Sequence, residues 1–438
     1  MKDLSYYKKL GFEKIFSWKQ EDFSNFLVWD LVEAFKYGDL KICLLGSIKN
    51  LIQRYNKYKF ALDIYDKFFQ KLWLKNNRKD KKILFHTIQY PKLILEAKKH
   101  YSVGLIVEGK KDRLFSFKNF IGYVNVNDLS QYIYYYVKEG NINYLYQLVK
   151  SLEERLSALR PDYLVLWNDN LPLERAIVLV CKRLGIPTLE IQQGPDQSGI
   201  LLTSGRMVDY FLVWGQYFKD LYVRREIKKP EEIYVLGYPH KIYKTNKPKS
   251  KDKNKYTVYY LGQNYERCNI YERCSNKEIL EVTIKTVIEL NRICKKLNLE
   301  FFYRPHPRND RELIKSKLPG INFTPEDEKI SDTINKGDIL VSFNSTSLIE
   351  ASMISKITLQ LMNYPRPTDN FEKLGVCTKS FQSIEELSRY LQLIRGSDLS
   401  KVKFKFNNYY TETRYNLGQR FIEILNQIDD KQTKELGF

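Results

Sequence analysis

The chain is poor in histidine, with four in 438 residues, and its six cysteines (Cys43, Cys181, Cys268, Cys274, Cys294 and Cys377) include no CxxC pair. Cys268 and Cys274 have no histidine cluster near them, so a zinc site is not expected and reduced thiols are. No run approaches the roughly 18 consecutive apolar residues of a membrane-spanning helix. The opening stretch MKDLSYYKKLGFEKIF lacks the uninterrupted apolar core of a signal peptide. No internal repeat of the solenoid kind is present. Together these absences predict a cytoplasmic chain, one that can also rest on the inner face of the cytoplasmic membrane.

What is present is a long, apolar and basic sequence. At 438 residues it exceeds one ordinary core, and two domains of about 200 residues each are expected. Apolar residues make up 43% and aromatics 14%, which predicts folding rather than disorder. Lys and Arg number 72 against 52 Asp and Glu, a net charge of +20. Such a surface attracts nucleic acid, anionic membrane or acidic small molecules, or is simply a solvated lysine face. The motifs below favour an acidic small molecule, and nucleic acid is not expected.

Periodicity divides the chain. Residues 1–75 read as a helical segment, with apolar positions three and four apart in SNFLVWDLVEAFKYG and YKFALDIYDKFFQKLWLK. Residues 76–240 alternate short apolar runs with helical stretches. The runs are KKILFHTI (81–88), YSVGLIVEG (101–109), DYLVLWN (162–168), PTLEIQQG (187–194), YFLVWG (210–215) and IYVLG (233–237). Lysine-rich residues 241–255 read as a linker. The alternation resumes over 256–410 with YTVYYLGQ (256–263), a helix near 277–297, EFFYRPHP (300–307), INFTP (321–325), DILVSFNS (338–345), a helix from Ser345, and ITLQLMN (357–363). A last helix near 412–428 closes the chain within a C-terminal segment 411–438. Strands alternating with helices imply parallel βαβ units. The predicted class is therefore α/β, with two Rossmann-like domains facing a cleft, and ligands belong beyond the carboxyl ends of the strands.

The candidate site residues fall at those ends. In YRPHPRND, His306 stands between two prolines that restrict the backbone and remove amide donors. An imidazole so held can donate to a phosphate oxygen, with Arg304 or Arg308 adding a charge-assisted bond; the alternative is a turn histidine satisfied by a neighbouring carbonyl. In DILVSFNSTSLIEAS, a strand runs into Asn344, Ser345, Thr346 and Ser347 and a helix begins. Free first-turn amides and the positive end of the helix dipole bind anions, and three hydroxyls add donors; the alternative is plain capping. Glu350 either closes a capping box or accepts the hydroxyls of a ribose. Gly262 and Gln263, with Asn264, follow the first strand of the second domain, where backbone can approach a ligand.

In the first domain, Asn168, Asp169 and Asn170 stand between a strand and a helix. Asp169 is the candidate general base, or else the N-cap of the helix beginning near Pro172. Gln192, Gln193 and Gly194 lead into a polar loop suited to acceptor hydroxyls, with Glu190 and Asp196 as further base candidates. His86 and His240 are read as structural, and His100 as a surface residue.

This combination resembles glycosyltransferases of the GT-B architecture that build bacterial surface polysaccharides, in particular the bacterial sialyltransferase, polysialyltransferase and capsule Kdo-transferase group. That group carries a His-Pro motif and a downstream Ser/Thr motif contacting the cytidine monophosphate of the donor. The resemblance assigns these roles to His306-Pro307 and Ser345-Thr346-Ser347. PDYLVLWNDN and AIVLVCKRLGIPTLEIQQGP look like the first domain of capsule-export glycosyltransferases. DYFLVWGQYFKDLYVRREIKKPEEIYVLGYP is similar to a segment shared with glycerol- and ribitol-phosphate polymerases and sugar epimerases. The likeness covers roughly residues 80–430. The acidic-acidic-glycine motif that supplies the base in the sialyltransferase group is missing, and Asp169 stands in for it.

The resemblance implies inverting glycosyl transfer from a nucleotide-sugar, of the CMP-sialic acid type, to a surface glycan or lipid-linked acceptor. The donor is a substrate, so no cofactor is expected. No metal is expected either, because no DxD-type pair stands at a strand end. A polyol phosphotransferase using CDP-glycerol or CDP-ribitol would use much the same His and Ser/Thr groups. A non-catalytic RNA- or membrane-binding protein would explain the charge alone.

Overall fold

A computed structural model of the protein describes residues 81–108, 110–119, 121–126, 142–169, 171–195, 204–240, 256–263, 276–365, 368–395 and 404–435, with 397, 399 and 402. The helical segment 1–75, the linker 241–255, Asn170, Asp196 and Asn264 lie outside these residues.

The first half contains β1 (Lys82–His86), α1 (Pro91–His100), β2 (Ser102–Val107), α2 (Lys110–Asn119), β3 (Gly122–Asn125), α3 (Ile142–Leu159), β4 (Tyr163–Leu166), α4 (Pro172–Leu184), β5 (Thr188–Ile191), β6 (Tyr210–Val213), α5 (Gln216–Arg224) and β7 (Ile233–Val235). The second contains β8 (Thr257–Leu261), α6 (Asn276–Lys296), β9 (Glu300–Arg304), α7 (Arg311–Lys317), α8 (Ile330–Lys336), β10 (Ile339–Ser342), α9 (Thr346–Met353), β11 (Ile357–Leu361), β12 (Lys379–Phe381), α10 (Ile384–Ile394) and α11 (Leu417–Glu435).

The strands form two sheets, ordered β3-β2-β1-β4-β5-β6-β7 and β12-β11-β10-β8-β9. Every strand pair is parallel. The strands read as continuous apolar runs because both faces of each sheet are covered. Alternate residues separate the two layers. Leu84, Ile106 and Leu164 pack with α3 and α4, while Ile83, Phe85, Leu105 and Val165 pack against Phe421, Ile424, Leu425 and Ile428 of α11. The chain's last helix therefore covers the first sheet.

The segment before α11 makes that return. Tyr217 N donates to Tyr409 O (2.8 Å), Glu412 N to Trp214 O (2.8 Å) and Tyr238 N to Glu412 O (2.9 Å). A β-carbon on Gly215 would lie 2.3 Å from Tyr410 O, so only glycine admits the crossing chain. A core cluster spans the seam, joining Phe211, Trp214 and Tyr238 to Tyr259, Leu340, Leu348 and Tyr410.

Some expected elements differ. INFTP forms no strand and contributes a single bridge, Tyr303 to Phe323; the turn at Gly320 and the donor-less Pro325 leave it too short for a ladder. The last helix begins at Leu417, because the preceding residues turn across the seam and give their amides to it, as Glu412 N does to Trp214 O, and it continues to Glu435. GYVN (β3) and KSF (β12) are edge strands too short to stand out as apolar runs.

Candidate active site

In an open parallel sheet a crevice opens where the strand order reverses direction, since neighbouring crossovers there lie on opposite faces. The second sheet reverses between β8 and β10, and the first between β1 and β4. Candidate residues collect at both places.

At the β8/β10 reversal, side chains tie three strand ends together. Gln263 Nε2 donates to Ser342 Oγ (2.9 Å), and Ser342 Oγ donates to Leu261 O (2.7 Å). Asn309 Nδ2 donates to Gln263 O (2.8 Å), which fastens the loop after β9 to the end of β8. A β-carbon on Gly262 would lie 2.9 Å from Tyr303 Oη and 3.0 Å from Arg304 O, so the glycine lets β8 and β9 close up. His306 sits in the fastened loop, half-buried, with Pro307 and Arg308 exposed. Its Nδ1 accepts the amide of Arg308 (3.2 Å), and its carbonyl accepts the amide of Asn309 (3.0 Å). With Nδ1 an acceptor, the neutral ring carries its proton on Nε2 and is a donor there.

Asn344, Ser345, Thr346 and Ser347 are half-buried at the end of β10. Ser345 caps α9, its Oγ accepting the amide of Ser347 (3.2 Å). Arg304 turns elsewhere: its guanidinium donates to Thr333 Oγ1 and Glu328 O, both at 2.9 Å, bracing α8. Glu350 lies one turn into α9, and its carboxylate accepts the hydroxyl of Tyr238 from beyond β7. Burial raises the pKa of Glu350, against the opposing effect of the Tyr238 bond. Tyr238 thus joins the carboxyl edge of the first sheet to that of the second.

In the first domain, Asn168 and Asp169 are buried. Asp169 is 1% exposed, and its carboxylate accepts the amide of Met207 (2.6 Å), so it braces the approach to β6. Gln192 braces β5 against β6, its Oε1 accepting Trp214 N and its carbonyl accepting Trp214 Nε1, both at 2.8 Å. Gln193 and Gly194 are half-buried, and the space beside the Cα of Gly194 is open. Glu190 is fully buried and accepts the amide of Gly205 (2.8 Å).

Sequence reading gave His86 no functional role and passed over its neighbours. His86 ends β1, Glu108 follows β2, and Glu174 lies in the first turn of α4, just after β4. The three meet at the β1/β4 reversal. His86 Nε2 is 2.7 Å from Glu108 Oε1, and Nδ1 is 3.9 Å from Glu174 Oε1. The Nε2–Glu108 contact is close enough for a charge-assisted bond, while Nδ1 is too far from Glu174 for a hydrogen bond. Burial alone would lower the pKa of His86, but Glu108, Glu174 and Asp112 outweigh it and raise it. Burial pushes Glu174 up to about 7 against the opposing pull of His86. The available signal was a carboxylate within two residues of a strand end or helix start, in VEG and LERA.

Among the described residues this is the one group of three His, Cys, Asp or Glu side chains close enough to share a metal ion. No helix of the described residues is long and apolar enough to cross a membrane.

No protein-family model matches the chain, and no curated relative does. Solved structures do match. One is a protein assigned as UDP-N-acetylglucosamine 2-epimerase from Listeria monocytogenes, at TM-score 0.54 and 14% identity over 81% of this chain and 97% of that one. A second UDP-N-acetylglucosamine 2-epimerase matches at TM-score 0.50 and 16% identity, over 80% and 95%. The lipopolysaccharide outer core galactosyltransferase WaaB matches at TM-score 0.48 and 12% identity, over 79% and 99%. At these identities the likeness is one of fold. The fold is GT-B, two Rossmann-like domains built on parallel sheets of seven and five strands.

Proposed function

We propose that the protein is a glycosyltransferase that moves a sugar from a nucleotide-activated donor to a surface glycan or lipid-linked acceptor. The observation that carries this reading is the set of bonds from Asn309 to Gln263 and from Gln263 to Ser342. It fixes the His306 loop and the strand leading into Ser345–Ser347 around one reversal point. The donor's phosphate lies against the first turn of α9, where Ser345, Thr346 and Ser347 supply hydroxyls and amides. His306 donates from Nε2, and both groups stabilise the charge that develops on the leaving phosphate. Gly262, Gln263 and Asn344 line the same reversal, and Pro307 holds the loop. Glu350 binds the ribose once Tyr238 releases it. Arg304 serves as a brace.

The favoured donor is of the CMP-sialic acid type, which rests on the resemblance of the His-Pro and Ser/Thr motifs. The acceptor lies across the cleft, beside Asn168, Gln193 and Gly194. Transfer is inverting: the acceptor oxygen attacks the anomeric carbon from the face opposite the nucleotide.

The test is a donor screen with the full chain, incubating CMP-sialic acid, CDP-glycerol and UDP-N-acetylglucosamine and following nucleotide release and sugar products. Release of CMP from CMP-sialic acid supports the reading. Transfer of glycerol phosphate would identify a phosphotransferase instead, and conversion of UDP-N-acetylglucosamine to its 2-epimer without transfer would identify an epimerase.

A further inference from the structure

The first sheet has its own reversal point, and the transfer reading leaves its charged residues unused. An imidazole with no exposed side-chain surface stands there between two carboxylates. Such a group is costly to bury and is retained where a proton must be held or moved.

Two chemistries suit a His-Glu-Glu set: a divalent cation or a proton. A metal takes one ring nitrogen, and all its ligands converge on one point. Here Glu108 approaches Nε2 while Glu174 lies nearest Nδ1. With Glu108 at one end of the ring and the buried Glu174 at the other, the set fits a proton held among the three groups and a charge on Glu108 balanced by His86.

Exposure then sorts the carboxylates. Asp169, Glu174 and Glu190 are 1%, 2% and 0% exposed. The Glu108 side chain is 29% exposed, open enough to meet a substrate hydroxyl. Its backbone is fixed, because Asp112 Oδ2 accepts the Glu108 amide (3.2 Å). The residue after His86 is also fixed: Thr87 adopts φ +62°, rare for a β-branched residue, and its amide donates to Ile106 O (2.9 Å). All these strands are parallel, so Glu108 lies on the same carboxyl edge of the sheet as Tyr238, which touches Glu350 across the cleft.

We propose that Glu108 is the general base of the transfer, with His86 and Glu174 as positioning residues behind it. This rests on the transfer reading above and moves the base role from Asp169. In the step, the acceptor O–H bond breaks and its proton goes to the Glu108 carboxylate. The freed electron pair forms the bond to the anomeric carbon. The bond from that carbon to the phosphate oxygen breaks, and the nucleotide leaves with that pair. His86 keeps its proton and offsets the charge of Glu108 before transfer.

The experiment uses the full chain and whichever donor of the three above releases nucleotide, with water or glycan as acceptor. Glu108→Gln is expected to keep the rise in melting temperature given by the free nucleotide and to lose about 10²–10⁴-fold in turnover. Glu108→Asp retains an intermediate rate. His86→Asn leaves the nucleotide-induced rise intact and shifts the acidic limb of the pH–rate profile, a readout that a purely structural role leaves in place. Turnover of Glu108→Gln within threefold of the wild type overturns the base. So does stabilisation by Zn²⁺ or Mn²⁺ in the wild type that Glu108→Gln abolishes, since that outcome marks a metal site. If no nucleotide raises the melting temperature of the wild type and no donor is consumed, the transfer reading itself falls, and the base with it.

Discussion

At the scale of single residues, the two reversal points use opposite physics. Around Gly262 the requirement is space. Gly262→Ala puts a methyl group against Tyr303 and the Arg304 carbonyl, and a loss of about 1–3 kcal/mol in denaturant unfolding is expected. Around His86 the requirement is a counter-charge. Glu174, raised by burial from 4.5 to about 7, holds a proton in the folded chain that the unfolded chain has released over that range. The folded state binds more protons there, so its contribution to stability is full below about pH 4.5 and falls as pH rises toward 7. His86, also raised, acts in the same direction above its ordinary 6.5. Melting curves of wild type and Glu174→Gln between pH 4.5 and 7.5 check this: the wild type is expected to lose stability relative to the variant as pH rises. His306 stood out in the sequence as a candidate because two prolines and two arginines mark it locally. The partners of His86 were not, because β1, β2 and β4 are brought together by crossovers that no local pattern records.

At the scale of elements, most strands and long helices were readable as apolar runs and 3.6-residue periods. KILFH, TVYYL and ILVS are continuous because each is covered on both faces, and LERAIVLVCKRLG ends where Gly185 takes the left-handed conformation at φ +66°. INFTP misled because an apolar run has the right composition without the length for a ladder. β12 escaped notice because KSF carries its lysine on an exposed edge. The start of α9 was visible as a run of capping residues, and the cap is made by Ser345 Oγ and the Ser347 amide. Ser345→Ala is expected to cost about 0.5–2 kcal/mol in stability. If the same residues hold phosphate, it also weakens nucleotide binding, measured by calorimetry; an unchanged affinity would leave the serine as a cap alone.

At the scale of the whole molecule, the chain crosses twice between its halves. The seam cluster of Trp214, Tyr238, Tyr259 and Tyr410 packs the two sheets together, and α11 returns to cover the first sheet. Phe421→Ala, in the α11 face, is expected to destabilise the first domain by about 3–5 kcal/mol although it lies far along the sequence from it. Hydrogen exchange in β1 and β2 would report that loss. This return was not legible beforehand, since an amphipathic final helix does not say which sheet it covers. The closed seam also sets the carboxyl edge of the first sheet, at Tyr238, against Glu350 of the second. The most direct measurement of that arrangement is the melting temperature of wild type and His306→Ala with CMP, CDP and UDP. One nucleotide is expected to raise the wild-type value, and His306→Ala to lose most of that rise while melting normally without ligand. An equal rise in both proteins would contradict a phosphate held by His306 and the start of α9.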